Sequence, residues 1–169
     1  MSTEQDFTII GSTELVEIDG IKNIPAKIDT GADSSSIWAS NIDMKKDGTL
    51  AFTLFDQKSP FFTGEKIETK QYVARRVRSS NGDIQVRYRV EFPIKIRDKT
   101  LNTAFTLSNR SRNTYPVLIG RRALAHKFLV DVSIDNVVLP KFKHPFKIND
   151  KLKSSPYEFH QKYIERSKS

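Results

Sequence analysis

Short runs in which Val, Ile, Leu, Phe or Tyr alternate with polar residues recur along the chain, separated by turn-forming pairs. Alternation with a period of two marks strands with one buried face, so the pattern predicts sheets. Thr13 to Ile18 and Ile24 to Ile28 read as strands joined through Asp19-Gly20, a dipeptide suited to a tight turn. Ser34 to Ala39 follows as a strand or turn, with Trp38 as core filler. The stretch Asn41 to Val73 predicts a turn at Asp47-Gly48, a strand over Leu50 to Phe55 and a polar, proline-bearing link from Gln57 to Glu68. Tyr72 to Val90 predicts a hairpin turning at Asn81-Gly82, because Asn-Gly favours the positive φ values of a two-residue turn. That register sets Val77 opposite Val86, Val73 opposite Val90 and Arg76 opposite Arg87, with Arg78 and Arg89 on the arginine side. Like charges facing one another destabilise a sheet, so the arginine side needs open solvent or an acidic partner.

Glu91 to Ile96 continues the alternation with Phe92, Ile94 and Ile96 on one side, and Pro93 predicts an edge strand. Asp98-Lys99 turns the chain into Leu101 to Leu107, with Leu101, Phe105 and Leu107 facing inward. After the polar loop Ser108 to Thr114, Tyr115 to Ile119 reads as a strand buried on both faces, followed by Gly120 and a short helix. Phe128 to Val132 and Val137 to Leu139 read as late strands. Ser155-Pro156-Tyr157-Glu158 is a capping box with proline at the first helical position, and Phe159 and Tyr163 stand one turn apart, which predicts a C-terminal helix. The expected organisation is a lead over residues 1–12, one domain over 13–140 and a basic extension over 141–169.

A length of 169 residues suits one domain with a real core. A formal charge of +8 favours anionic partners. The absence of cysteine removes disulfides, thiolate chemistry and cysteine-based zinc sites. Met1 to Phe7 is polar and acidic with no apolar core of a signal peptide, and no later stretch reaches the length of a membrane span, so a soluble, cytoplasmic protein without membrane partners is expected. His126, His144 and His160 are scattered without ligand spacing, and neither a His-Glu-x-x-His motif nor a phosphate-binding glycine loop is present. No metal and no cofactor are therefore expected.

The candidate chemistry lies in Ile28-Asp29-Thr30-Gly31-Ala32-Asp33-Ser34, a carboxylate at the end of an apolar strand followed by a tightly turning segment. Its counterpart is the late run Val117-Leu118-Ile119-Gly120-Arg121-Arg122-Ala123-Leu124. The pairing resembles the retropepsins, the single-domain aspartic peptidases, in order of elements from Thr13 to Leu124. The resemblance implies an all-β, closed acid-protease barrel in which the hairpin at Asn81-Gly82 is a flap. It makes Asp29 the catalytic carboxylate, with Thr30, Gly31, Ala32 and Gly120 supporting the loop. It also puts substrate against Asp33 and the flap tip Ser79, Ser80, Asn81 and Gly82, while the like-charged face itself makes Arg76, Arg78, Arg87 and Arg89 candidate contacts for an acidic substrate. From the residues alone, Asp33 is equally a turn-former or the partner of a nearby arginine. The tip departs from the glycine-rich flap of viral retropepsins.

Aspartic peptidase chemistry needs two carboxylates sharing a proton, and this chain carries one Asp-Thr-Gly. Asp131-Val132-Ser133 lacks the glycine and reads as an ordinary strand end. The expectation is a homodimer with one Asp29 from each subunit. Within the broad group the chain is similar to the bacterial family labelled ATP-dependent zinc proteases, some of whose members adjoin ATP-grasp glutamate ligases. That similarity implies such a ligase as a neighbour and an acidic peptide or protein as substrate. Two other readings stand beside the aspartic endopeptidase: a non-catalytic module binding acidic protein or, less expected, nucleic acid through its arginine hairpin, and the zinc-dependent protease of the family label.

Overall fold

The computed structural model describes residues 6–78, 82–139 and 153–164. The strands are β1 Thr8–Ile10, β2 Thr13–Ile18, β3 Ile21–Ile28, β4 Ser35–Met44, β5 Leu50–Leu54, β6 Lys66–Thr69, β7 Val73–Arg78, β8 Ile84–Ile96, β9 Lys99–Ser108, β10 Val117–Ile119 and β11 Phe128–Val130. Two helices complete the described elements: α1 at Arg121–Leu124 and α2 at Pro156–Ile164. The chain divides into a unit ending at Val137 and a second beginning at Val138, within which α2 forms where the capping signal predicts it. Among the described residues, no helix is long and apolar enough to cross a membrane.

The alternating runs form one nine-stranded sheet in which β10, β3, β2, β8, β9 and β4 are successive neighbours. Because β10 also pairs with β4, that path closes into the expected barrel. Ile18, Ile24, Ile37, Ile94, Phe105 and Ile119 are fully buried in its core. Each such side chain contributes about 1.5–3 kcal/mol relative to exposure. Asp19 and Gly20 form the two-residue turn of the β2–β3 hairpin, with φ of 50° and 81°.

The stretch after β4 extends the sheet, since β4, β5 and β6 pair antiparallel in succession. All five residues of β5 are buried, and Trp38 packs edge-on against Phe55 with ring centroids 6.3 Å apart. Strand β6 occupies the end of the link expected to be irregular, because Lys-Ile-Glu-Thr carries a single apolar residue and no readable alternation.

Pro93 is not at an edge. Strand β8 pairs with both β2 and β9, and the Pro93 carbonyl accepts the Asp19 N–H at 3.0 Å where the β2 ladder ends. A residue's N–H and C=O point to the same side of a strand, so the missing proline donor falls at that terminus, where no ladder partner is needed. Val137 to Leu139 is not a strand. The segment is held instead by Thr13, whose hydroxyl donates to Asp135 and accepts the Val137 N–H at 3.1 Å. Leu118, expected to be buried like its neighbours, is only half-buried.

Glu14 is 2 % exposed. Its carboxylate accepts the Gly11 N–H at 2.8 Å and Asn136 Nδ2 at 2.7 Å, and pairs with Arg97 Nε at 3.0 Å. One side chain thus ties β2 to the turn after β8 and to the segment after β11. Glu14→Ala leaves the buried Gly11 donor without its acceptor, an expected loss of about 1–3 kcal/mol. Thermal denaturation checks it, and an unchanged midpoint contradicts this role.

Candidate active site

Strand β10 lies between β3, to which it is parallel, and β4, to which it is antiparallel. The chain leaves β3 at Ile28, passes over the end of β10 as the loop Asp29 to Ser34, and returns as β4 on the other side. The loop is fastened to what lies beneath it. Asp29 N–H donates to the Ile119 carbonyl at 2.9 Å, Arg121 N–H to Ala32 O at 2.8 Å and Arg122 N–H to Asp33 O at 3.2 Å. Gly120 N–H donates to Ser35 Oγ at 3.0 Å. A Cβ on Gly120 would lie 2.6 Å from the Ser34 backbone and 2.9 Å from Ala32 O, so the close approach requires glycine.

Within the loop, Gly31 N–H donates to Asp29 Oδ1 at 3.0 Å and Ala32 N–H to Asp29 O at 3.3 Å. Asp29 is half-buried, whereas Thr30 and Gly31 form an exposed apex. Asp33 is exposed and paired with the Arg121 guanidinium, so of the readings open from the sequence the arginine partnership is present. The hydrogen bond and charge of Arg121, with a weaker contribution from Arg122, hold the Asp33 carboxyl below the usual carboxylate range. A lowered pKa means the pairing is complete above the ordinary carboxylate range and is lost only as pH falls through the lowered value. Asp131 spends its carboxylate locally, accepting Ser133 N–H at 2.9 Å and Ser133 Oγ–H at 2.6 Å.

The hairpin register differs by one residue from the sequence expectation. Arg75 stands opposite Arg87, Val73 opposite Arg89 and Val77 opposite Gln85, while Arg76 pairs with Val86 and Arg78 with Ile84. The Val77–Val86, Val73–Val90 and Arg76–Arg87 pairs therefore do not form, and Arg76 lies on the face opposite Arg87 and Arg89. A ladder ending at Arg78↔Ile84 leaves Ser79 to Asp83 as the connection, which has the wrong parity for a two-residue Asn81-Gly82 turn. Gly82 has φ of 87°, and Ser79, Ser80 and Asn81 lie outside the described residues.

The corrected register turns arginines toward the aspartate loop. Arg75, Arg87 and Arg89 line a cavity of about 250 Å³ together with Asp33, Ser34 and Arg122. Burial, then the charges of Arg75 and Arg122, push the Arg89 guanidinium below its ordinary pKa. Arg75 and Arg122 were not singled out in the sequence. The other hairpin parity would have found the first, and its place two residues after Gly120 the second. Among the described residues no group of three or more His, Asp or Glu side chains is placed to hold a metal ion. His144 lies outside the described residues.

Comparison with known proteins identifies the family. The profile of the family described as "Retropepsin-like aspartic endopeptidase RimB" matches residues 9–141. A Shewanella halifaxensis protein named "Probable alpha-L-glutamate ligase" is 35% identical over 130 residues, covering 74% of this chain and 28% of its own length. A protein of the same name from Desulfotalea psychrophila is 30% identical over 139 residues, covering 79% of this chain and 30% of its own. The chain thus spans less than a third of these curated relatives. A structure of a Legionella pneumophila protein of unknown function (DUF785) superposes with a TM-score of 0.60 at 30% identity, covering 78% of this chain and 98% of that one. With the Asp29 loop seated on β10 and the profile spanning the barrel, this chain belongs to the RimB-like family of retropepsin-like aspartic endopeptidases.

Proposed function

We propose that the protein is an aspartic endopeptidase that works as a homodimer, each subunit contributing Asp29, and that its substrate is an acidic, glutamate-rich peptide segment. The observation that carries the reading is the Asp29 loop. Its carboxylate receives one hydrogen bond among the described residues, from Gly31 N–H, while the neighbouring Asp33 is committed to Arg121. One chain therefore supplies half of a dyad, and the exposed Thr30-Gly31 apex is free to meet its symmetry mate. Two carboxylates brought together cannot both ionise easily. The charged one takes a proton from water as it attacks, and the neutral one donates to the substrate carbonyl, the pair titrating as a unit.

An association surface supports the dimer. Ile9 and Leu129 stand side by side in the β1–β11 ladder and are 61% and 54% exposed. Apolar side chains side by side in water suit a contact with a second subunit. The acidic substrate is supported by the arginines facing the loop and by the glutamate ligase names of the relatives, in which a stretch like this chain is part of a longer protein. The proposal keeps the cytoplasmic setting and an ATP-grasp glutamate ligase as functional neighbour. The arginine face, which favoured a binding module, borders the Asp29 loop and so serves the same cleft.

The metal-dependent reading is separated by one assay. Cleavage of a glutamate-rich peptide is expected to proceed at an unchanged rate in chelator, with no gain from added zinc. Loss in chelator that zinc alone restores contradicts the paired-aspartate chemistry.

A further inference from the structure

Behind the hairpin arginines lies a second cavity, of about 180 Å³, lined by Ser34, Arg89, Thr103, Arg122 and Lys127 among others. Three of these are cationic and no carboxylate lines it. Among the described residues, Arg89, Arg122 and Lys127 form no ion pair with a carboxylate. Two side-chain atoms of these residues, Arg89 Nε and Thr103 Oγ1, are buried and have no hydrogen-bond partner among the described residues. Thr103 is 7% exposed, on the inward face of β9. Buried donors without acceptors are costly, and a guanidinium without a counter-charge more so. An oxyanion in the cavity supplies the counter-charge that Arg89, Arg122 and Lys127 lack. Ser34, Arg89 and Arg122 also line the cavity below the hairpin, so the two spaces share a wall at the end of the Asp29 loop.

We propose that this second cavity is a carboxylate subsite, taking one acidic side chain of a bound peptide while a neighbouring acidic side chain meets the hairpin arginines. The inference rests on the acidic-peptide reading and extends it from a charged face to a defined site. Recognition then requires more than one carboxylate in the same segment, and a single acidic residue fills only one of the two spaces. Lys127 supplies a point charge there and does not line the hairpin cavity.

Binding to the Asp29→Asn protein tests this without cleavage, so an absence of peptidase activity leaves the test intact. Three labelled peptides are compared by anisotropy: hexaglutamate, the same peptide with one glutamate among glutamines, and the all-glutamine peptide. Hexaglutamate is expected to bind tightest, and Lys127→Gln to weaken it about tenfold, Lys127→Glu more, while both barely change the single-glutamate peptide. Thermal midpoints and the Arg87→Gln variant serve as controls, the latter weakening both glutamate-containing peptides. Hexaglutamate binding unchanged in both cavity variants, or equal loss for all peptides, overturns the subsite. Inorganic phosphate is the competing arm. If millimolar phosphate binding depends on Lys127 while hexaglutamate binding does not, the cavity is a free-oxyanion site and the peptide assignment fails.

Discussion

Asp29→Asn is expected to abolish peptide cleavage while leaving the barrel intact. The substitution is nearly isosteric, and the amide oxygen can still accept the Gly31 N–H that Asp29 Oδ1 accepts at 3.0 Å. The backbone bond from residue 29 to Ile119 is independent of the side chain. What is lost is the ionisable group, which in the proposed dyad must carry either the charge that activates water or the shared proton. General acid–base groups contribute about 10²–10⁴-fold, and here both members of the dyad change at once, so activity should fall below detection. Removing repulsion between paired carboxylates should leave the dimer as stable or more so. Retained cleavage in a folded Asp29→Asn protein, judged by thermal midpoint and turnover together, contradicts the assignment.

Gly120→Ala is expected to damage both stability and catalysis without touching any reacting atom. The new methyl group would sit 2.6 Å from the Ser34 carbonyl carbon and oxygen and 2.9 Å from Ala32 O, all backbone. No flexible side chain is there to move aside, so either the loop lifts off β10 or the start of α1 shifts. Overpacking of this kind costs about 1–3 kcal/mol. The displaced atoms belong to the loop that carries Asp29, and a shift near 1 Å in a catalytic group can cost about 10²-fold. The expected result is a lowered thermal midpoint together with a larger fall in kcat than in substrate affinity. A midpoint and kcat matching the parent show that the seat is not needed.

The barrel was legible in outline, and with it the seat of the Asp29 loop on β10, because the signals for that seat are short and local. Asp-Thr-Gly after an apolar strand, and Gly120 after another, are local words, and the two strands that carry them pair in parallel across most of the chain length. The hairpin shows where local reading fails. Asn81-Gly82 is a strong turn signal, but register parity depends on where Val73 meets Arg89, and a one-residue slip exchanges which β7 arginines share a face with Arg87 and Arg89. That slip concealed Arg75. Pro93 misled for a related reason. A proline weakens a strand only where its N–H is needed, and which edge a donor faces is set by the partner strand. Strand β6 has almost no apolar pattern and exists because the buried β5 offers it a ladder. Thr103 on β9, Arg122 on α1 and Lys127 just before β11 line one cavity although they are far apart in sequence, which no local pattern encodes.

The central claim is that one active site needs two copies of Asp29, and subunit mixing measures it directly. Parent and Asp29→Asn chains are combined in equal amounts and allowed to exchange, with dimer mass recorded at the assay concentration. With unbiased exchange about half the dimers are hybrids and about a quarter are fully parental. If both carboxylates are essential, activity is expected at roughly a quarter of that of the same total amount of parent dimer. Activity near one half, with a monomeric mass at concentrations where the protein is active, contradicts the paired-aspartate mechanism.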